Sequence, residues 1–348
     1  MTMPSARDLI EILRRSRLLE AEKLAELNRT SSSHDDDSLT LARELLQRDW
    51  LTPYQINQLF RGRADDLVLG HFVLLERLGA GGMGQVFKAR ETHLGRIVAL
   101  KVLSKERINK PETVARFYQE IQAAACLSHP NIVHAYDAEQ VGDAHVFAME
   151  YVEGIDLSRL VKQSGPLPVA QACEHVRQAA LGLQHIHENG MVHRDVKPGN
   201  LMRSNQGAIV KILDMGLARL REEEAEEAQA DRLTRLGVVM GTIDFIAPEQ
   251  ALDSRRADIR SDLYSLGCTL FYLLIGQVPF PREEPMAKLL AHSCDPVVPV
   301  EQLRPEVPPR VSAIVSKLMA KRPKERYQTP AELILDLAAV SQRASGAC

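Results

Sequence analysis

Apolar residues recur at three- and four-residue spacing through residues 6–62, the period of helices that bury one face. The stretch has two similar halves. Ser16-Arg17-Leu18-Leu19, continuing to Leu24 and Leu27, aligns with Arg48-Asp49-Trp50-Leu51, Ile56 and Leu59, and Leu9 and Leu13 match Leu41 and Leu45 at the same 32-residue offset. Each half is predicted as a helix, a short turn and a second helix. A duplicated unit and chance likeness between amphipathic helices both account for the pattern. Thr52-Pro53-Tyr54-Gln55 carries the signals of a helix start: a capping threonine, proline in the first helical position, and a glutamine that can complete a capping box. The polar run from Thr30 to Asp37 separates the halves as a loop.

From Leu67 the pattern becomes short apolar runs broken by glycine, which predicts strands. Past about residue 155 helical spacing returns, with Val176, Ala179, Leu183 and Ile186 on one face and Asn189-Gly190 as a stop. Strands first and helices second predict an α+β fold.

Composition narrows the classes. A net charge of -3 gives no global positive field to favour nucleic acid or anionic lipid. The five cysteines include no C-x-x-C pair, so a zinc site or disulfide framework is not expected and a reducing cytoplasm is the simplest location. Asp8 and Glu11 interrupt the first fifteen residues, which therefore do not read as a signal peptide. No apolar run approaches the roughly 18 residues of a membrane helix, and Cys268 to Ile275 reads as a buried core helix.

Gly79-Ala80-Gly81-Gly82-Met83-Gly84 matches G-x-G-x-x-G, a weak signal alone because dinucleotide-binding folds share it. There a helix follows. Here Gln85-Val86-Phe87-Lys88-Ala89-Arg90, a turn near Gly95, and Ile97 to Leu103 predict strand, turn, strand. Such glycines let a hairpin backbone close over phosphates. Val98-Ala99-Leu100-Lys101 then sets a lysine in an apolar strand, costly to bury unless it meets an anion. Glu120, in the next predicted helix, is its candidate partner. The strongest signal is His193-Arg194-Asp195-Val196-Lys197-Pro198-Gly199-Asn200, followed by Asp214-Met215-Gly216 and Ala247-Pro248-Glu249. Asp195 can accept a hydroxyl proton, Asn200 and Asp214 supply hard oxygen ligands for magnesium, and Lys197 can balance phosphoryl charge.

With these motifs in this order, the segment from about Phe72 to Leu337 resembles the eukaryotic-like (Hanks-type) serine/threonine protein kinases, especially their bacterial members. The resemblance implies a bilobal protein-kinase fold over residues 67–340, with a β-rich N-lobe to about 152 and a helical C-lobe from 153, preceded by a small all-α accessory domain at 1–66. It implies ATP and Mg2+, with Mn2+ as a substitute, and protein substrates with serine or threonine acceptors. It makes Lys101–Glu120 the ion pair of the active state, Lys197 the serine/threonine form of the catalytic loop, and Met149 the gatekeeper. Glu150, Tyr151 and Val152 would be the adenine hinge. Leu78 and the glycines Gly79 to Gly84 would cover the nucleotide, Val86, Ala99 and Met202 would sandwich the adenine, and Asp156 would approach the ribose. Thr242 would line the substrate pocket. Glu249 would pair with Arg326, and Asp262 would brace the catalytic-loop backbone.

The departures are Met215 where phenylalanine is commoner, and the acidic run Glu222 to Glu227. Between Gly216 and Ala247 the hydroxyl side chains are Thr234 and Thr242, which makes Thr234 the candidate autophosphorylation site and Arg194 its expected cationic partner. Residues 1–62 are expected to form a compact helical unit packed on itself, with a surface for a docking partner. The competing functions are a pseudokinase scaffold, a small-molecule phosphotransferase, and an interaction protein acting through those helices. The intact Lys101, Glu120, Asp195, Asn200 and Asp214 argue against the first, and Ala247-Pro248-Glu249 argues against the second.

Overall fold

The computed structural model describes residues 5–16, 18–30, 37–81, 84–103, 118, 121, 125–213 and 243–345. Gly82, Met83, Glu120, Asp214, Thr234 and Thr242 lie outside them. The chain divides into two compact units, 1–111 with 136–151 and 112–135 with 152–348.

The first unit opens with four helices, α1 (Ala6–Ser16), α2 (Ala21–Thr30), α3 (Ser38–Gln47) and α4 (Pro53–Phe60). The capping box predicted at Thr52 forms: the Thr52 hydroxyl accepts from the Gln55 N–H, and the Gln55 side chain accepts from the Thr52 N–H. A sheet follows, built from β1 (Val68–Leu69), β2 (Phe72–Gly81), β3 (Gly84–Glu91), β4 (Ile97–Leu103), β5 (Ala135–Val141) and β6 (Ala144–Glu150), in the order β1-β2-β3-β4-β6-β5. Along β4 the faces alternate, as a strand's two-residue period requires. Val98 and Leu100 are fully buried in one core with Phe72, Leu74, Phe87, Ala89, Val146 and Ala148 of the neighbouring strands.

That same core contains Leu9, Leu13, Leu41, Leu45, Ile56 and Leu59. The apolar stripes of α1–α4 thus close on the sheet as well as on one another, not on themselves alone. A stripe specifies that a face is buried, and the β-sheet face carrying Val98 and Leu100 supplies the apolar surface that meets it. Each fully buried leucine contributes about 1.5–3 kcal/mol, so the contact ties these helices to the sheet.

The second unit is mainly helical. A small sheet, β7 (Gly154–Asp156), β8 (Leu201–Ser204) and β9 (Val210–Ile212), lies in the order β7-β8-β9. Among the described residues the helices with defined bounds are α5 (Leu157–Ser164), α6 (Val169–Glu188), α7 (Pro248–Leu252), α8 (Ile259–Ile275), α9 (Pro285–Cys294), α10 (Val300–Leu303), α11 (Pro309–Leu318) and α12 (Pro330–Ser345). The second helix of this set, α6, ends at Glu188, capped by Asn189 with Gly190 at φ 72°. Most of α8 is buried, including Cys268 to Leu274 of the run to Ile275 predicted as a core helix, with Ile275 half-buried. No helix among the described residues is long and apolar enough to cross a membrane.

Candidate active site

The predicted site residues fall into two groups, one in each unit. In the first unit, Gly79, Ala80 and Gly81 on β2 pair with Val86, Gln85 and Gly84 on β3, so these described residues end an antiparallel strand pair. Glycine is required at position 84: its φ is 148°, and a Cβ there would lie 2.0 Å from the Val102 carbonyl oxygen. Lys101 on β4 is buried and faces Val86 on one side and Phe147 on the other. Ala99 faces Met149. Directly opposed residues of an antiparallel pair share a face. Val86, Ala99, Lys101 and Met149 therefore line the face opposite the one that packs on α1–α4. That face is an apolar floor with a lysine set into it, suited to a planar ring with a phosphate tail. Beyond Met149 lie Glu150, the last residue of β6, and Tyr151, whose ring has the Lys88 ammonium 4.7 Å from its centroid.

In the second unit, Lys197 Nζ donates to both carboxylate oxygens of Asp195, at 2.9 and 2.8 Å. Asn200 Nδ2 donates to Asp195 Oδ2 at 2.9 Å and to the Asp195 carbonyl at 2.8 Å. These contacts fix the carboxylate from two sides. The backbone beneath is fixed as well. Asp262 is 1% exposed, and its two oxygens accept from the N–H groups of His193 (2.8 Å) and Arg194 (2.7 Å). Burial pushes the Asp262 carboxyl above its ordinary value, while His193 and Arg194 oppose that shift. Arg194 sits at φ 67°, a left-handed conformation that side chains adopt only when the surroundings hold it. Part of that hold is Gln250, whose Nε2 donates to the Arg194 carbonyl at 2.7 Å. The His193 ring bonds the Leu213 carbonyl at 2.9 Å, next to Asp214 in sequence. Asp156 caps α5 through the Arg159 N–H at 2.8 Å and lies opposite Met202 in the β7–β8 pair.

Glu249 pairs with Arg326 as the resemblance implies. The arginine side chain has no exposure and uses all five N–H groups: two on the Glu249 carboxylate, at 2.7 and 2.8 Å, and one each on the carbonyls of Ala320, Arg260 and Lys321. Burial works to raise the Glu249 carboxyl, but the bonds and charge of Arg326 and the Ser261 hydroxyl outweigh it and hold the carboxyl below its usual range. A buried pair satisfied in this way avoids the desolvation penalty of a lone charge.

A divalent cation fits the donor chemistry. With Asn200 Nδ2 committed to Asp195, the amide presents its oxygen, a hard ligand. No cluster of three or more metal-ligating side chains occurs among the described residues. Sequence reasoning missed Gln250 and Ser261 as props of this site, although both lie within or beside motifs it singled out.

A family model described as a protein kinase domain matches residues 72–336. The serine/threonine-protein kinase PknB of Mycolicibacterium smegmatis is 39% identical over 275 residues, covering 78% of this chain and 43% of that protein. The probable serine/threonine-protein kinase CPE1738 of Clostridium perfringens is 36% identical over 271 residues, covering 78% of this chain and 38% of that protein. The matched segment thus spans about two fifths of the length of these curated relatives. Among solved structures, the PknI kinase domain of Mycobacterium tuberculosis matches with a TM-score of 0.60 and 25% identity, over 78% of this chain and 97% of that one.

Proposed function

The chain belongs to the bacterial Hanks-type serine/threonine protein kinases, and we propose that it transfers the γ-phosphoryl group of ATP to serine or threonine hydroxyls of proteins. The observation that carries this reading is the Asp195–Lys197–Asn200 constellation, mounted on a loop that Asp262 grips. In this reading the Asp195 carboxylate orients the acceptor hydroxyl and takes its proton as the oxygen–phosphorus bond forms and ADP departs. Lys197 stands beside that carboxylate and counters the charge on the transferring group. Lys101 and the glycine segment hold the phosphates, with Glu120 as the partner of Lys101. Leu78, Val86, Ala99 and Met202 flank the adenine, Met149 sets the depth of its pocket, Glu150 and Val152 offer backbone hydrogen bonds, and Asp156 approaches the ribose. Asn200 and Asp214 would hold a divalent cation, magnesium with manganese as substitute, which when bound neutralises phosphate charge.

The same reading assigns Thr234 as the activating autophosphorylation site, with Arg194 as the cation for its phosphate, and Thr242 to the substrate pocket. It assigns the reaction to the cytoplasm, where ATP is abundant. The test is mass spectrometry of the chain and an added protein substrate after incubation with Mg-ATP. Phosphoserine or phosphothreonine is expected on both. Wild-type protein that transfers no phosphate would overturn the reading.

A further inference from the structure

The strand that feeds the glycine segment is irregular. Along β2, Leu74 faces Ala89 and Glu76 faces Lys88, so Leu75 is an extra residue. A second irregularity follows, where Arg77 faces Phe87 and Gly79 faces Val86, leaving Leu78 over. Two bulges in five residues weaken the ladder to β3 and leave backbone groups to be satisfied elsewhere. On the other edge of β2, the pairing with β1 stops at Phe72 and Val73. From Leu74 onward that edge has no strand beside it among the described residues.

Two side chains of α4 stand there instead. Gln55, only 2% exposed, donates from Nε2 to the Leu74 carbonyl at 2.8 Å. The Thr52 hydroxyl donates to the Leu75 carbonyl. These are the same two residues that form the capping box, so each side chain faces two ways. The Thr52 hydroxyl accepts from the Gln55 N–H and donates to the strand. The Gln55 carboxamide accepts from the Thr52 N–H and donates to the strand. The arrangement uses both functions of each group and grips the two carbonyls at the first bulge, four to five residues before Gly79. A helix cap needs only the acceptor half of this set. The donor halves are spent on β2.

We propose that Thr52 and Gln55 are positioning residues for nucleotide binding: through the carbonyls of Leu74 and Leu75 they fix where β2 delivers the glycine segment, and so set the affinity for ATP. The inference rests on the ATP reading above. It makes the preceding helices part of the nucleotide site at second hand, without any contact to the nucleotide itself.

The full-length chain carries the test, as Gln55→Leu, Thr52→Val and the conservative Thr52→Ser. Losing one strand-directed bond should raise the KM for ATP about fivefold while kcat and the protein-substrate KM stay within about twofold. Backbone amide exchange in residues 75–81 and 84–86 should accelerate locally, while β5 and β6 keep their protection. Thr52→Ser retains the hydroxyl and should restore wild-type values. If Gln55→Leu does not fold, Thr52→Val decides. An unchanged KM for ATP with unchanged exchange would overturn the proposal. So would a fall in kcat at constant KM with exchange accelerated across the whole first unit, the mark of a purely structural role. Should the wild-type chain transfer no phosphate, the kinase reading fails separately, and the exchange pattern still decides the clamp: local acceleration supports it, uniform acceleration overturns it.

Discussion

The glycine segment at 79–84 and the loop at 193–200 are held in opposite ways. The described part of the first, Gly79 to Gly81 and Gly84, ends a doubly bulged strand pair, steadied at its base by neutral hydrogen bonds from Thr52 and Gln55. The second is gripped from below by a buried carboxylate, Asp262, which takes two consecutive backbone N–H groups. A neutral hydrogen bond contributes about 1 kcal/mol net, whereas stranding a buried charged acceptor costs several times that. The groups expected to accept a proton therefore stand on a foundation that cannot slip by a residue. The strand leading to Gly79 rests instead on two neutral bonds, whose individual loss costs less. Catalysis needs the acceptor geometry fixed to a fraction of an ångström, while a nucleotide must enter and leave.

The contrast can be broken or sharpened at several points. The largest effect belongs to Asp195→Asn, which removes the proton acceptor and should cost about 100- to 10,000-fold in phosphate incorporation with ATP affinity nearly unchanged. Lys101→Met should abolish turnover by the other route, through lost phosphate contacts and weakened ATP binding. Near-normal rates for either would erase the division of labour. Next is Asp262→Ala, which strands two backbone donors and should lower the unfolding free energy by about 2–5 kcal/mol in denaturant titration. If Gln55→Leu costs as much, the two foundations are not different in kind. Arg326→Lys keeps the charge but loses the planar fork and should cost about 2–4 kcal/mol by the same measurement.

The effect smallest at neutral pH concerns acid, and it grows as pH falls. His175 and His292, both in the second unit, are buried, and burial lowers each to about 4. Neither ring nitrogen of His175 has a partner among the described residues. His292 bonds the Tyr264 hydroxyl at 2.9 Å and faces Lys321 and Lys288, which lower it further. The unfolded chain binds a proton at each site near pH 6.5, so their contribution is fully present above that pH and declines toward pH 4. The slope is up to about 1.4 kcal/mol per pH unit for each histidine. His175→Leu should flatten the dependence of the denaturation midpoint between pH 6.5 and 4.5. An unaltered slope would remove His175 from the account.

The meeting of Asp195, Lys197 and Asn200 was the most legible part of the candidate site, because the three sit close together in sequence and their order is itself a signal. The Thr52 capping box was legible for the same reason. What α4 grips was not. Leu74 and Leu75 lie about twenty residues beyond Gln55, and a carbonyl at a bulge leaves no trace in hydrophobic period. The bulges themselves are matters of register, visible only when two strands are laid side by side. The stripes of Leu9, Leu13, Leu41 and Leu45 announced a buried face, yet nothing in their spacing distinguished a neighbouring helix from the sheet that shares their core. Gln250 was passed over because its role depends on Arg194, 56 residues earlier.

Arg326 has a consequence in time. Its guanidinium closes a junction among chain segments made at different moments: Glu249 precedes it by 77 residues and the Arg260 carbonyl by 66. At about 5–20 residues per second on the ribosome, Glu249 waits about 4–15 s for its partner. Throughout that interval the nascent second unit carries a carboxylate destined for the interior with no cation to receive it, so α7 and α8 cannot settle into their final packing until the chain has been made past residue 326. The last-made stretch of the matched segment thus acts as the latch on segments synthesised long before it. Arg326 variants should reveal themselves first as poor yield of soluble protein during expression, before any defect in the purified protein is measured.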